Sequence, residues 1–325
     1  MLTSVLRAAT FGAALALGVA GSVNAESPAP PASDANGGSS LPSTSWASNP
    51  GTPGPPGRTV PEAACFLGLG GSFSSVRFTH QNLFFVGVSD VFNAQTGLLT
   101  GTGTASGSID PFFDSQFGLA PVVQGGYFRH FANSEWLWGA KFSYNYLGAR
   151  SSKQNVLVPQ AGSFSVVATS SPFTGNEEVA LIQTSVEHQM SLIAFLGYSF
   201  ENFFIYLGGG PTLSETTSTL NGVVGFADIL GMPHLSITGT TSPENFHNSQ
   251  WIAGGEAVVG VCYFFTPSWF LDVSYAFGMT ARQAAHFEAA FANAVGVFTT
   301  QGTNSGTYTG SAITQSLTIS INRAF

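Results

Sequence analysis

Apolar and polar residues alternate with a period of two in eight stretches beyond residue 63. The clearest begins at Trp136. There Trp136, Trp138, Ala140, Phe142, Tyr144 and Tyr146 share one face, and Gly139, Lys141, Ser143 and Asn145 share the other. Such alternation predicts a strand with two unlike faces. Here the apolar face is aromatic at both ends, as in a strand that crosses lipid between two interfaces. Similar strands are predicted near 64–76, 120–131, 187–200, 202–213, 250–265 and 268–281. The last lies at the C-terminus, where Leu317, Ile319, Ile321 and Phe325 alternate with Thr318, Ser320 and Asn322.

Three of the links are short (ANSE, EN and TPS) and the other four are long. Short turns at one end and long loops at the other fit an antiparallel up-and-down transmembrane β-barrel. The register places Trp136, Trp138 and Trp269 at one membrane boundary and Trp251 at the other, an aromatic girdle at the interfaces. The expected fold is all-β, an eight-stranded barrel over residues 63–325 with four long extracellular loops. A ten-stranded barrel is the alternative, if SFSVVATSS or HLSITGTTS forms a further hairpin; both are read as hairpin extensions above the membrane.

Residues 1–25 read as a signal peptide, with Arg7 ahead of the apolar FGAALALGVAG and small residues at Val23-Asn24-Ala25. Residues 26–62 read as a disordered linker, because nine of the seventeen prolines fall there with Gly, Ser and Ala. An even strand count puts both termini on the short-turn side, the periplasmic one.

Composition narrows the class. Charged residues are 8% of the chain against 44% hydrophobic, with 39 glycines and 29 phenylalanines, well below the charge of ordinary soluble domains. Beyond the leader no apolar run is long enough for a membrane helix. Nine Lys and Arg against seventeen Asp and Glu give no basic footprint for nucleic acid.

The alternation with terminal Phe325, together with GLGGSF, GGYF, LGYSF and YLGGGP, resembles the small outer-membrane β-barrel family of Gram-negative bacteria, which includes opacity-type and porin-like surface antigens. The resemblance implies an outer-membrane location and insertion by the barrel-assembly machinery, with Leu317, Ile319, Ile321 and Phe325 as the assembly signal. It implies contact with outer-membrane lipid and lipopolysaccharide, and brings no catalytic residue.

The remaining candidates follow from strand phase. Lys141, Glu256 and Asp272 fall on inward faces, where lone charges would be costly, so an interlocked ion network is expected. Inward glycines (Gly68, Gly70, Gly126, Gly139, Gly254, Gly260) leave room that keeps a narrow porin-like channel as the alternative function. The six histidines show no ligand spacing, so no metal or cofactor is expected, and haem binding at the outer mouth is a minor reading. His247-Asn248-Ser249 has the spacing of a lipid A deacylase motif, but Glu256 lies in the opposite phase. Cys65 points outward and Cys262 inward, which argues against a disulfide. GLGGSF and LGGGP lack the helix and the Lys-Ser/Thr of a phosphate loop.

The long loops are net acidic, with Asp90, Asp110, Asp114, Glu177, Glu178, Glu215, Asp228, Glu244 and Glu288 against Arg150, Lys153 and Arg282. They suit divalent cations or basic partners. Their apolar stretches NLFFVGV and FADILGM are expected to pack above the barrel, or else to meet a surface ligand. The expected function is therefore non-enzymatic: envelope structure and surface interaction through the loops.

Overall fold

The computed structural model describes residues 59–166, 169–229, 232–236 and 244–325. The leader and residues 26–58 of the linker lie outside the described residues. Eleven strands follow in chain order: β1 (Ala63–Asn93), β2 (Leu99–Ile109), β3 (Gln116–His130), β4 (Trp136–Val166), β5 (Thr169–Ser199), β6 (Phe203–Ile229), β7 (Met232–Ser236), β8 (Glu244–Thr266), β9 (Trp269–Thr280), β10 (Gln283–Val295) and β11 (Phe298–Ala324).

Eight of them, β1, β3, β4, β5, β6, β8, β9 and β11, pair antiparallel in that order, and β11 returns to β1 to close the ring. At the base Phe66 pairs with Ala324, and the Phe325 amide donates to the Cys65 carbonyl at 2.9 Å. The eight-stranded expectation holds. The extra strands do not widen the ring. β2 and β3 pair with β1 in one continuous register (Leu83 with Ile109, Val76 with Gln116), so they are one strand interrupted at 110–115. β9 and β10 are likewise one strand: Met279 faces Ile313 while Gln283 faces Gly310. One extra residue is absorbed there at Ala281–Arg282, as in a β-bulge.

The four long loops of the sequence reading are therefore corrected: they are mostly strand. β1 with β2–β3, β4 with β5, β6 with β8, and β9–β10 with β11 each form a long hairpin. Gly97 and Gly296 take φ of +69° and +61° at two of the tips, where a tight turn needs a left-handed residue. From Arg77 to Asn93, β1 continues beyond the membrane belt. With a rise of about 3.3 Å per residue and a tilt near 40°, this lifts the tip by roughly 40 Å.

The same strands serve two environments. Near the base the outward positions are apolar and exposed (Leu67, Leu69, Phe142, Leu192, Leu207, Val259, Phe277, Ile319, Ile321). That is a lipid-facing belt on a closed ring, the form in which β-structure spans outer membranes. Above it the apolar residues turn inward, and Leu83, Phe85, Val158, Val179, Ile182, Leu220 and Tyr308 form a buried core. Of the two apolar loop stretches, NLFFVGV supplies Leu83 and Phe85 to this core; the side chains of FADILGM lie outside the described residues.

Register shifts accompany the inversion in some strands, while β11 keeps one inward phase from Asn304 to Ala324. Registers shift between Thr79 and Asn82, between Tyr146 and Ala149, and between Val186 and Gln189. In β1 the inward set passes from even positions (Ser74, Val76, Phe78) to odd ones (Leu83, Phe85).

Candidate functional site

The lumen is filled in layers. At the base Phe66, Phe128, Leu137, Phe204, Phe264 and Phe270 are buried together. The phenylalanine rings pack tilted, edge-on or stacked, with Phe264 and Phe270 centroids 4.6 Å apart. Val60 joins this plug with 0% exposure. The chain reaches it because the Thr59 amide donates to the Glu201 carbonyl at 2.8 Å, and the His130 amide to Glu62 at 2.9 Å. The linker read over 26–62 thus ends earlier: its last four residues are docked under the barrel. No alternation marks them, and proline-rich context hid them.

Above the plug lies the polar layer. Lys141 Nζ sits 3.0 Å from Asp272 Oδ2 and donates to the Tyr206 hydroxyl at 2.7 Å. Tyr206 in turn donates to Asp272 Oδ1 at 2.9 Å. Gln124 Nε2 lies within hydrogen-bond distance of Asp272, Ser320 and Asn322, at 2.7–2.9 Å. This closed polygon satisfies the buried pair from several sides, the condition under which a buried ion pair is tolerated. Glu256 is not part of it. It accepts from Ser191 at 3.1 Å, on the wall of a small polar space that it shares with Lys141. Strand phase alone brought three charges to one lumen; it could not say which two would meet, nor that Tyr206 and Gln124 would complete the set.

Three of the inward glycines lie against large inward rings. A Cβ at Gly126 would meet the Phe66 ring at 2.8 Å, and one at Gly260 the Tyr206 ring at 2.6 Å. At Gly139 it would run into Phe195. These three glycines are seats for large inward rings, which take the room beside them.

Outside, Trp136, Trp138 and Trp269 are exposed near the base and Trp251 is exposed at the far rim. Leu317, Ile319 and Ile321 line the outward face of β11, and Phe325, just past its end, is exposed as well. Arg323 reaches over Phe325 and Trp269, with its guanidinium 5.1 and 5.9 Å from the ring centres.

At the far rim an outward cluster forms that the sequence did not reveal. His188 Nδ1 and the Tyr144 hydroxyl are 2.7 Å apart, and His188 Nε2 is 3.7 Å from Glu215 Oε2. Ser249 donates to Glu215 Oε1 at 3.1 Å. Serine, carboxylate and imidazole are thus near one another, but the carboxylate stands in the middle. A nucleophilic serine needs the imidazole against its own hydroxyl. His247, the histidine of the deacylase-like spacing, turns instead to Thr219 at 3.1 Å. Glu256 faces the lumen, on the other side of the wall.

Cys65 is exposed, Cys262 buried, and both are free. Among the described residues no three His, Cys, Asp or Glu side chains converge as metal ligands. Near the tip, burial pushes the Glu177 carboxyl up to about 7, opposed by a hydrogen bond from Asn304 and helped by nearby Glu244. Burial raises Glu244 too.

No family model matches the chain, and no curated protein matches it. Among solved structures it is similar to the outer membrane protein OprG from Pseudomonas aeruginosa, at 13% identity and a TM-score of 0.31, over 82% of this chain and 99% of that one. It is similar to Neisserial surface protein A at 13% identity and a TM-score of 0.25, over 72% and 94%. With Ail of Yersinia pestis it shares 10% identity and a TM-score of 0.22, over 75% and 98%. The chain's own geometry is a closed ring of eight antiparallel strands with an exposed apolar belt near its base.

Proposed function

We propose that this barrel is neither an enzyme nor a channel, and that it works by holding a stiff β-sheet extension off the outer membrane for surface interaction. The observation that carries this reading is the filled lumen. An aromatic plug, a polar layer built on Lys141–Asp272 and the apolar core of the extension follow one another along the axis. An eight-stranded ring has an interior only wide enough for its own side chains, and here the side chains take that space. The base, with its short turns, is the periplasmic end in this reading, and the hairpin tips face outward. β11 carries the assembly signal, and the belt contacts outer-leaflet lipid and lipopolysaccharide.

The tip supports a contact role. Leu98, Leu99, Val297 and Phe298 are exposed there, and the turns that carry them are joined by the Ala94 amide donating to the Val297 carbonyl at 2.8 Å. Grouped apolar side chains far from the lipid belt are what an interaction surface offers.

The test is conductance of the refolded protein in planar bilayers, with Lys141→Ala and Glu256→Ala in parallel. Silence from a folded, heat-modifiable barrel is expected in all three. Discrete openings that either substitution alters would make this a small porin.

A further inference from the structure

We propose that the outer wall carries, at its far membrane boundary, a site for the quaternary ammonium of a choline-type lipid headgroup, built from Tyr146, His188, Glu215 and Trp251. The four side chains stand in one row across the wall. Tyr146 pairs with His188 across β4 and β5, and Glu215 pairs with Trp251 across β6 and β8. Val186 and Gln189 are both buried, so the register shift between them leaves His188 outside the lumen, beside Glu215. The rings are ordered about this imidazole. Tyr144 lies 5.9 Å from it and nearly parallel, with its hydroxyl 2.7 Å from Nδ1, and Tyr146 is tilted against it at 5.2 Å. On the other side Trp251 stands at 6.5 Å and 28° to it, with the Glu215 strand between them.

The charge balance points to a cation from outside the chain. With the Tyr144 hydroxyl donating to Nδ1, the imidazole carries its proton on Nε2, 3.7 Å from Glu215 Oε2, while Ser249 donates to Oε1. Neutral donors thus hold the carboxylate in place and leave its charge standing, and among the described residues no Lys or Arg pairs with it. The base shows the contrast. There the chain's own Arg323 covers Trp269, 5.9 Å from the ring centre, whereas among the described residues no cation covers Trp251 or Tyr146. Aromatic faces attract a cation within about 6 Å of their centres, and quaternary ammonium groups are the ligands that clustered rings take. Over the carboxylate, such a group lies between Trp251 and the imidazole. Depth selects lipid as the source. One row toward the base the outward positions of β5 and β6 are Met190 and Leu213, and one row further out those of β6 and β8 are Thr217 and Ser249. The row therefore sits where hydrocarbon gives way to headgroups. The site is independent of the surface role proposed for the extension.

The experiment is calorimetric titration of dihexanoyl phosphatidylcholine, kept below its micelle-forming concentration, into the full chain folded in maltoside micelles. Dihexanoyl phosphatidylglycerol, which has no ammonium, and free choline are titrated in parallel. Saturable binding of the phosphatidylcholine is expected, with weaker binding of choline and none of the phosphatidylglycerol. Glu215→Gln and Trp251→Ala should each weaken it about fivefold, while Trp138→Ala at the opposite boundary leaves it unchanged. Folding of each variant is checked by heat-modifiable mobility before titration. Choline binding as tightly as the lipid would overturn the assignment to a headgroup. Absence of saturable binding, equal binding of the phosphatidylglycerol, or an affinity that both rim substitutions leave unchanged in folded protein would overturn the site.

Discussion

The barrel base and its extension are built from the same strands with opposite rules. In the base, Leu207 and Ile319 point at lipid and Lys141 and Asp272 point inward. In the extension, Phe85 and Ile182 point inward, and Ser305, Thr307 and Thr309 line the outer side of β11. The solvent outside decides. Hydrocarbon makes an apolar exterior free of cost and leaves the inside to take polar groups in pairs; water reverses the preference. One chain satisfies both by changing the residue types it turns inward: β11 places Tyr308 inward in the extension and Ser316, Ser320 and Asn322 inward in the base, all in one phase.

That contrast can be broken from either side. Phe85→Ala, which empties part of the extension core, is expected to cost about 3–5 kcal/mol. The loss should appear as protease cleavage between residues 77 and 110 while the base keeps its heat-modifiable mobility. Leu207→Arg reverses the target: an arginine facing mid-bilayer costs about 2–4 kcal/mol. It should lower the yield of folded barrel in lipid vesicles and leave any folded fraction with an intact extension. If both variants unfold the whole molecule together, the two regions are not separable.

A smaller effect is expected from pH. Burial favours the protonated form of Glu177, so the folded state holds that proton more tightly than the unfolded chain. Stability from this group is fully present below its unfolded value of 4.5 and is lost as pH rises through about 7. Over that window the extension should lose at most roughly 3 kcal/mol. Chemical denaturation at pH 5 and pH 8 reads the difference, and Glu177→Gln should abolish most of it. A profile that the substitution leaves unchanged would show that another group governs the dependence.

The smallest change is Arg323→Ala. Its contacts with Phe325 and Trp269 are exposed, and each is expected to contribute about 0.5–1 kcal/mol. Refolding kinetics into vesicles should shift little.

The base was legible in the sequence because lipid enforces a strict alternation. From Trp136 to Tyr146, and from Trp269 to Met279, every second residue had to be apolar, and strand phase then gave the inward charges. The extension was not legible as strand for a physical reason. The register shifts near Thr79–Asn82, Tyr146–Ala149 and Val186–Gln189 interrupt β1, β4 and β5, so a single period-two reading lost those strands at the boundary. Glycine, serine and threonine on the outer face of the extension then read as loop. Positive φ at His80 and at Gly148 marks these breaks in the structure, whereas the sequence offers only a glycine at one of them. The Glu215 cluster was missed because it joins β5, β6 and β8 across the wall, and no spacing along the chain encodes that. Val60 was missed because one valine in a proline-rich run has no pattern to join.

The most direct test of one barrel in two solvents is backbone hydrogen exchange on the folded protein in lipid nanodiscs, read over residues 83–92, 150–164 and 300–312. Protection there close to that of the membrane strands, with fast exchange only at tips such as 94–98, is the expected result. Exchange throughout those segments at the rate of open loops would contradict the account, and would return the barrel to a short membrane ring with mobile surface loops.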